Sequence, residues 1–323
     1  MQPFLNKTIL VTGCAGFIGS HIVHHLITNT VANVIGIDNL SNGYIDNIST
    51  VLNNKRFRFV QDDITNVTVI NELVKQCQFV IHLAALGSVP RSIAMPLNTH
   101  HANLTGFLNI LDAARTHKIQ RFVFASSSSV YGNDTSDIKN EERTGELLSP
   151  YAVTKFADEL YAKVFGLQYG LEIIGLRYFN VFGPNQSPNG AYAAVVPLFI
   201  NGLLTQNDVF INGNGMQSRD FTFVDNVVQA NINACLAPKN ATQNIYNIAC
   251  GSSYSVNYLF EYIAKILQTK QKPIYRTERK GDILNSRANI SKAKTLLQYL
   301  PEIGFEEGLL KTIDYAKRWH LER

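Results

Sequence analysis

Three glycines spaced three apart, in Gly13-Cys14-Ala15-Gly16-Phe17-Ile18-Gly19, constrain this chain more than any other feature. They follow a short β-branched run, Ile9 to Val11, and lead straight into a helical pattern from His21 to Leu26. A strand that stops on glycines and restarts as a helix opens a βαβ unit. Glycine lets the backbone turn tightly and approach a bound group, and the amides of the new helix face negative charge. The spacing is GxxGxxG rather than GxGxxG, and in isolation an ordinary strand-to-helix turn looks the same. The context sharpens it. The next strand, Val34 to Ile37, ends in Asp38, about twenty residues on, where an acid holds ribose hydroxyls and repels a 2′-phosphate. The cofactor expected is therefore NAD rather than NADP.

The rest of the first half repeats the alternation. Strand patterns at Phe57–Val60, Phe79–His82, Arg121–Ser126 and Glu172–Arg177 are separated by helical patterns at Val67–Lys75, Asn103–His117 and Pro150–Tyr169. Strands alternating with helices predict an α/β fold, a Rossmann-type doubly wound parallel sheet. After Phe182 the character changes. Gly183 to Gly190 is loop-like, and Asn212-Gly213-Asn214-Gly215 is a turn between two strand-like runs. Phe221–Leu236 and Ile245–Ala249 suggest a helix and strand returning to the sheet, and the remainder is helical with loops. With 323 residues, about two domains are expected. Residues 1–182 with about 218–250 form the NAD-binding part. About 183–217 with 251–323 form a smaller, mostly helical domain for the substrate.

Composition narrows the function. Net charge is +4, without runs of Lys and Arg, which argues against nucleic acid and suits an anionic small substrate. Cys14, Cys77, Cys235 and Cys250 have neither metal nor redox spacing, so no metal is expected and a reducing compartment is. No signal peptide is legible, and no apolar run reaches the ~18 residues of a membrane span. The expectation is a cytoplasmic protein that does not enter the membrane.

Tyr151 and Lys155 are four apart, after Ser149 as helix cap and Pro150 as first helical residue, so they share one face at a helix start. Tyrosine, with an ordinary pKa near 10, is a poor base at neutral pH; a neighbouring ammonium favours the phenolate. The pair can then take a proton from a hydroxyl and return it. A lone YxxxK is otherwise a common surface pair. The strand before it ends in Ser126-Ser127-Ser128-Ser129-Val130-Tyr131-Gly132, at the carboxyl edge where parallel sheets bind ligands. The glycine loop, the strand-end serine and YxxxK appear in that order, which argues against coincidence.

With these motifs the chain resembles the extended short-chain dehydrogenase/reductase family over essentially its whole length, and within it the NAD-dependent nucleotide-sugar epimerases. TGCAGFIG, IDNLSNG, DDI, HLAA, SSSSVYG, YAVTK and RYFNVFGP stand in the family's order. The resemblance implies that Ser127 is the catalytic serine, Tyr151 the base, and Lys155 the residue that lowers the tyrosine pKa and holds the nicotinamide ribose. It places Gly13, Gly16, Phe17, Ile18, Gly19, Asp38, Asn39, Asn42, Asp63, Ile64, Leu83, Ala84, Ala85, Asn103 and Tyr178 on the cofactor. Alone, Asp63 reads equally as a loop or helix cap. The resemblance puts Asn180 and Arg219 on the UDP diphosphate, Arg279 and Asp282 on a further phosphate and the uridine ribose, and Val195 near the uracil. The residues alone allow an Arg219–Asp220 salt bridge, a charged surface turn at 279–282 and core packing of Val195.

Ala85-Leu86-Gly87-Ser88-Val89-Pro90-Arg91-Ser92 and Asn189-Gly190-Ala191-Tyr192-Ala193-Ala194-Val195 resemble the bacterial UDP-N-acetylglucosamine 4-epimerase subgroup, with Gly87, Ser88 and Ser128 on the substrate side. Ser286 falls on a gate that is a bulky Tyr where only non-acetylated sugars are accepted; a small residue leaves room for a 2-acetamido group. Arg287 departs from the pattern, which expects a neutral residue, and motivates a rival: a UDP-hexuronic or N-acetylhexosaminuronic acid 4-epimerase. A 4,6-dehydratase would need an acidic pair where Ser128 and Ser129 stand. A non-catalytic NAD-binding scaffold is the reading from outside enzymology. The resemblance also implies a homodimer, joined through helices 103–117 and 150–169.

Overall fold

The computed structural model describes residues 4–189, 193–278 and 285–321. Seven strands form the central sheet: β1 (Thr8–Thr12), β2 (Asn33–Asp38), β3 (Phe57–Gln61), β4 (Phe79–His82), β5 (Arg121–Ser127), β6 (Ile173–Tyr178) and β7 (Asn244–Ile248). Their order is β7-β6-β5-β4-β1-β2-β3, with every pair parallel. The order reverses between β1 and β4, and a ligand crevice opens at that switch point, above the carboxyl ends of the strands. The fold is the expected Rossmann-type α/β.

A parallel sheet is covered on both faces, so its strands are apolar nearly throughout. Along β1 the side chains alternate between two cores. Ile9 and Val11 pack with Ile22, Val23 and Leu26; Leu10 packs with Val80, Phe107, Ile110, Phe122 and Phe124. A third core joins Phe182, Phe199, Phe221, Phe223, Leu259, Phe260 and Phe305, beneath helices Val195–Leu204, Val256–Ile266 and Phe305–Leu321.

Several expectations change in detail. The helix expected over 103–117 begins earlier: Pro96–His100 is helical, His101–Thr105 is a wider π turn, and Gly106–Thr116 completes the run. Phe221–Phe223 is not helical; Thr222–Phe223 pairs with Val181–Phe182, and the helix runs Val224–Leu236. The turn at 213–215 is present, but its flanking strands part company: Phe210–Asn212 pairs with Ile274–Arg276, while Ser218–Arg219 joins a different sheet. That sheet, absent from the sequence reading, has the order Tyr254–Ser255, Ser218–Arg219, Asn285–Ala288, Ile138–Lys139. Strands of two to four residues are too short to carry a period. Among the described residues no helix is long and apolar enough to cross a membrane, and no group of three or more His, Cys, Asp or Glu could hold a metal ion.

Candidate active site

One cavity of about 840 Å³ runs from the glycine loop across the ends of β1, β4 and β5 to the small sheet. Its lining includes Gly13, Gly16, Phe17, Ile18, Gly19, Asp38, Asn39, Asn42, Asp63, Ile64, Leu83, Ala84 and Ala85 on one side. Ser127, Ser128, Tyr151, Lys155 and Tyr178 lie in the middle, and Gly87, Ser88, Asn180, Arg219 and Ser286 complete it. Residues spread over most of the sequence therefore meet in one place. Arg279 and Asp282 lie outside the described residues.

At the cofactor end the glycines are required by contact. A Cβ on Gly13, whose φ is +69°, would stand 2.9 Å from the Ala84 nitrogen, and one on Gly19 would stand 2.0 Å from the Gly13 carbonyl oxygen. The loop is thus pressed against itself and against the end of β4. Gly16 caps helix Phe17–Asn29 with no side-chain bond, so the first-turn amides are left for an anion. Asp38 Oδ2 accepts from Ala15 N at 3.0 Å and Oδ1 from Leu40 N at 2.8 Å. A carboxylate has about four acceptor sites, so Asp38 keeps capacity for hydroxyl donors. Burial works against the ionisation of Asp63, but hydrogen bonds from Thr65 N, Thr65 Oγ1 and Asn39 Nδ2 outweigh it and hold the carboxyl below its ordinary range. This set fits NAD: open amides for its pyrophosphate, acids for its hydroxyl and amino groups.

Beneath this end lie two residues that the sequence reading left without a role. Thr12 Oγ1 accepts from Leu83 N and Ala84 N, both at 3.1 Å, and bonds His82 Nδ1 at 2.9 Å. Burial pushes His82 down to about 3, so the ring is neutral. Only burial marks these two, and burial of polar groups is not legible from a strand pattern.

Around Tyr151 and Lys155, Ser149 Oγ accepts from Ala152 N at 3.1 Å and caps helix Pro150–Tyr169, as its sequence predicts. Lys155 Nζ donates to Ala125 O at 3.0 Å and to Asp158 Oδ2 at 3.2 Å. Ser127 Oγ accepts from Ser129 N at 3.1 Å. Ser129 lines the cavity, and its Oγ is buried without a hydrogen-bond partner. One turn beyond Lys155, Glu159 takes Arg177 Nη2 at 2.7 Å, Arg177 Nε at 2.9 Å and Ser126 Oγ at 2.5 Å. The buried cluster clamps the helix to β5 and β6.

Two expected residues stand back from the cavity lining. Asn103 is buried behind it: Oδ1 accepts from Leu86 N at 2.7 Å and Nδ2 donates to Thr154 Oγ1 at 3.1 Å, so its amide ties the 86–88 turn to the catalytic helix. Val195 begins a helix and packs against the third core. Tyr178 lines the cavity, but its hydroxyl bonds Asn231, and burial raises its pKa.

At the far end Arg219 and Ser286 are register partners in neighbouring parallel strands. Arg219 Nη1 donates to Ser218 O at 2.9 Å. Asp220 is fully buried and accepts from Cys250 N, Gly251 N and Ala288 N at 2.9, 3.0 and 3.1 Å. Asn180 Nδ2 reaches Asp220 O at 3.3 Å. Asp220 thus ties three segments together under the residues that face the cavity. Arg287 lies on the other face: along Asn285–Ala288 the residues alternate exposed and buried, and Arg287 Nε donates to Gly251 O at 2.8 Å.

Residues 9–249 match the model of the NAD dependent epimerase/dehydratase family. A putative UDP-glucose 4-epimerase of Methanocaldococcus jannaschii is 38% identical over 96% of this chain and 98% of its own length. The structure of a UDP-N-acetylglucosamine 4-epimerase from Methanobrevibacter ruminantium, in complex with UDP-N-acetylmuramic acid, superimposes with a TM-score of 0.92 at 38% identity, covering 97% of this chain and 99% of the other. A UDP-glucuronic acid 4-epimerase from Bacillus cereus, with UDP-glucuronic acid and NAD, gives a TM-score of 0.90 at 33% identity, covering 97% and 99%. The chain belongs to the NAD dependent epimerase/dehydratase family, and NAD is its cofactor.

Proposed function

We propose that this chain is a reversible UDP-sugar 4-epimerase whose preferred substrates are UDP-N-acetylglucosamine and UDP-N-acetylgalactosamine, with UDP-glucose and UDP-galactose as secondary ones. The coarser class, UDP-sugar 4-epimerase, is common to the relatives described above and agrees with the order of groups along the cavity. One observation carries the acetylated substrate: Ser286, 7% exposed, lines the same cavity as Tyr151 and stands beside Arg219. A small side chain there leaves volume for an acetamido group.

The hexuronic alternative needs a cation for the sugar carboxylate. Arg287, which motivated it, is directed to Gly251 O on the opposite face of its strand. Among the described residues the cations lining the cavity are Arg91, Lys155 and Arg219. Arg91 bridges to Asn42 Oδ1 at 2.8 Å, Lys155 is held by Ala125 and Asp158, and Arg219 is assigned to the diphosphate. That favours a neutral sugar.

Bound NAD supplies the acceptor, and later the donor, of the hydride at the sugar's C4. The chain's residues handle the proton and the placement. Tyr151 takes the proton from the sugar O4 and gives it back after the 4-keto sugar has turned over. Lys155 favours the phenolate by its charge, and Ser127 shares the hydrogen bonds of the same oxygen. Arg219 and Asn180 hold the diphosphate while the sugar swings, so most binding contacts belong to the nucleotide. Residues 1–182 with about 218–250 would serve NAD, and about 183–217 with 251–323 the UDP-sugar, following the sequence division.

The assembly we propose is a homodimer. Val153, Leu160, Val164 and Leu167 form an exposed apolar stripe on helix Pro150–Tyr169, joined by Ile93 and Leu97 from the two short helices packed beside it. Leu97 is 80% and Leu167 70% exposed. An apolar stripe of this kind marks an interaction surface. The sequence expects helix 103–117 as the second element of the interface; the short helices 89–94 and 96–100 carry exposed apolar residues beside this stripe. Leu160→Asp with Leu167→Asp should yield a monomer by analytical ultracentrifugation; a wild-type monomer at micromolar concentration rejects the dimer.

The deciding experiment mixes purified protein with UDP-N-acetylglucosamine and follows the signals of the 4-epimer by NMR. Epimerisation of UDP-glucuronate in preference to the acetylated sugar would replace the substrate assignment. Failure to epimerise any UDP-sugar would overturn the activity. Denatured protein should release NAD; release of NADP would reject the role of Asp38.

A further inference from the structure

The mechanism leaves one buried ionisable group beside the catalytic centre without a task. Asp158 is fully buried on the catalytic helix, one turn after Lys155. Its Oδ2 stands 3.2 Å from Lys155 Nζ, and its Oδ1 is buried with no hydrogen-bond partner. A buried carboxylate normally has every oxygen satisfied. Here the ammonium of a catalytic residue is the cation it touches.

We propose that Asp158 is a positioning and tuning residue of the reaction: it fixes Lys155 Nζ between Ala125 O and its own Oδ2, and its negative charge moderates the influence of Lys155 on Tyr151. The proposal rests on Tyr151 being the base.

The geometry supports both parts. An ammonium has three donors, and two of those on Lys155 are committed to Ala125 O and Asp158 Oδ2. The third is then directed by the other two. The charge argument follows from the sign of the pair. An isolated lysine beside the phenol draws out its proton strongly; a carboxylate bonded to that lysine cancels much of the field at the phenol. Burial works against the charge of Asp158, and the ammonium of Lys155 opposes that effect.

Several other charged groups on the packed elements are engaged elsewhere. Glu159, next on the helix, is satisfied by Arg177 from β6. His82 at the end of β4 is neutral and bonds Thr12. Arg91 bonds Asn42, Arg115 pairs with Asp112, and Arg121 pairs with Glu172. His101 acts on Asp63, His100 lies in the last turn of its own short helix, and Tyr151 stands one turn before Lys155.

Asp158→Asn keeps an acceptor for Lys155 Nζ and removes the charge. The acid limb of the kcat/KM profile, which follows formation of the phenolate, should move to lower pH by about one unit, the low end for a nearby charge. An ultraviolet titration of tyrosinate, taken as the difference between each protein and its Tyr151→Phe counterpart, should move the same way. An unmoved limb and titration, whatever the change in rate, overturns the proposal and leaves Asp158 a packing residue. So does a shift to higher pH. If Asp158→Asn does not fold, Asp158→Ser, with room for a water at Nζ, carries the same expectation. A different failure tests the underlying reading: a Tyr151→Phe protein that keeps both turnover and the acid limb removes Tyr151 as the base.

Discussion

The two walls of the cavity are built differently. The cofactor and catalytic wall is the carboxyl edge of a seven-stranded sheet, whose strands of four to seven residues are locked by a continuous parallel ladder. The nucleotide-sugar wall rests on strands of two to four residues and on the carboxylate of Asp220, which gathers amides from 250, 251 and 288. On the first wall the backbone sets the positions, and side chains such as Thr12 and Glu159 refine them. On the second, one side chain reinforces a ladder of only a few residues. On the proposed function, the acid–base chemistry, which tolerates little displacement, belongs to the stiff wall, and sugar selectivity, the property in which the relatives differ, to the other.

The largest effect should come from removing chemistry without disturbing the wall. Tyr151→Phe takes away the proton acceptor; turnover should fall about 100-fold or more, with NAD content and melting temperature unchanged. A fall in NAD content would mean that the phenol also holds the wall together.

Next comes the support of the second wall. Asp220→Ala strands three backbone amides, one buried and two part-buried, each worth up to ~1–3 kcal/mol, so the loss should be on the order of 3 kcal/mol. The contrast predicts where it appears: KM for the UDP-sugar rises steeply, while the retained NAD is unaffected. Equal damage to NAD binding and sugar binding would show that the two walls are not independent.

The difference between the walls is also the difference in what the sequence made legible. Apolar runs alternating with helical periods specify the sheet, and every cofactor-loop residue named from the motifs lines the cavity. Ser149 and Pro150 announce the catalytic helix, and Lys155 falls where its spacing puts it. The second wall has no period to read. Ser218–Arg219 and Asn285–Ala288 are joined only in three dimensions. Asp220 looks from the sequence like a partner for Arg219, but its oxygens take backbone amides instead. Asn103 shows the same limit on the first wall: the resemblance places it on the cofactor, and the bonds by which it also braces the 86–88 turn through Leu86 and Thr154 carry no sequence pattern. Asp158 and His82 carry no pattern because what distinguishes them is burial.

Selectivity should change with a single side chain on the second wall. Ser286→Tyr puts a ring into the cavity, at a cost of ~1–3 kcal/mol or more for any substrate that needs the space. The ratio of kcat/KM for UDP-N-acetylglucosamine over UDP-glucose should fall by about 10- to 100-fold, since 1.4 kcal/mol is a factor of ten. Plain sugars should be turned over as well as before or better. If both activities fall together, the ring has damaged the wall; if neither moves, Ser286 is not the gate and the acetylated substrate loses its main support.

The smallest effect should come from the first turn of the catalytic helix, where the stiff wall is least dependent on any one bond. Ser149→Ala removes the oxygen that caps Ala152 N, a loss of about 1 kcal/mol. That corresponds to a fall of roughly 1–2 °C in melting temperature for a chain of this length. Fraying of a free helix end would displace Tyr151, which lies in that first turn. The turn is not free, however. Pro150 fixes its own φ at the first helical position, and the helix is pinned to β5 one turn later by Lys155 and to β5 and β6 two turns later by Glu159. Loss of the cap should therefore lower stability and leave kcat nearly unchanged. A kcat that falls in step with the melting temperature would mean that Tyr151 is held by its cap and not by the sheet, and the catalytic wall would then depend on single side-chain bonds as the wall built on Asp220 does.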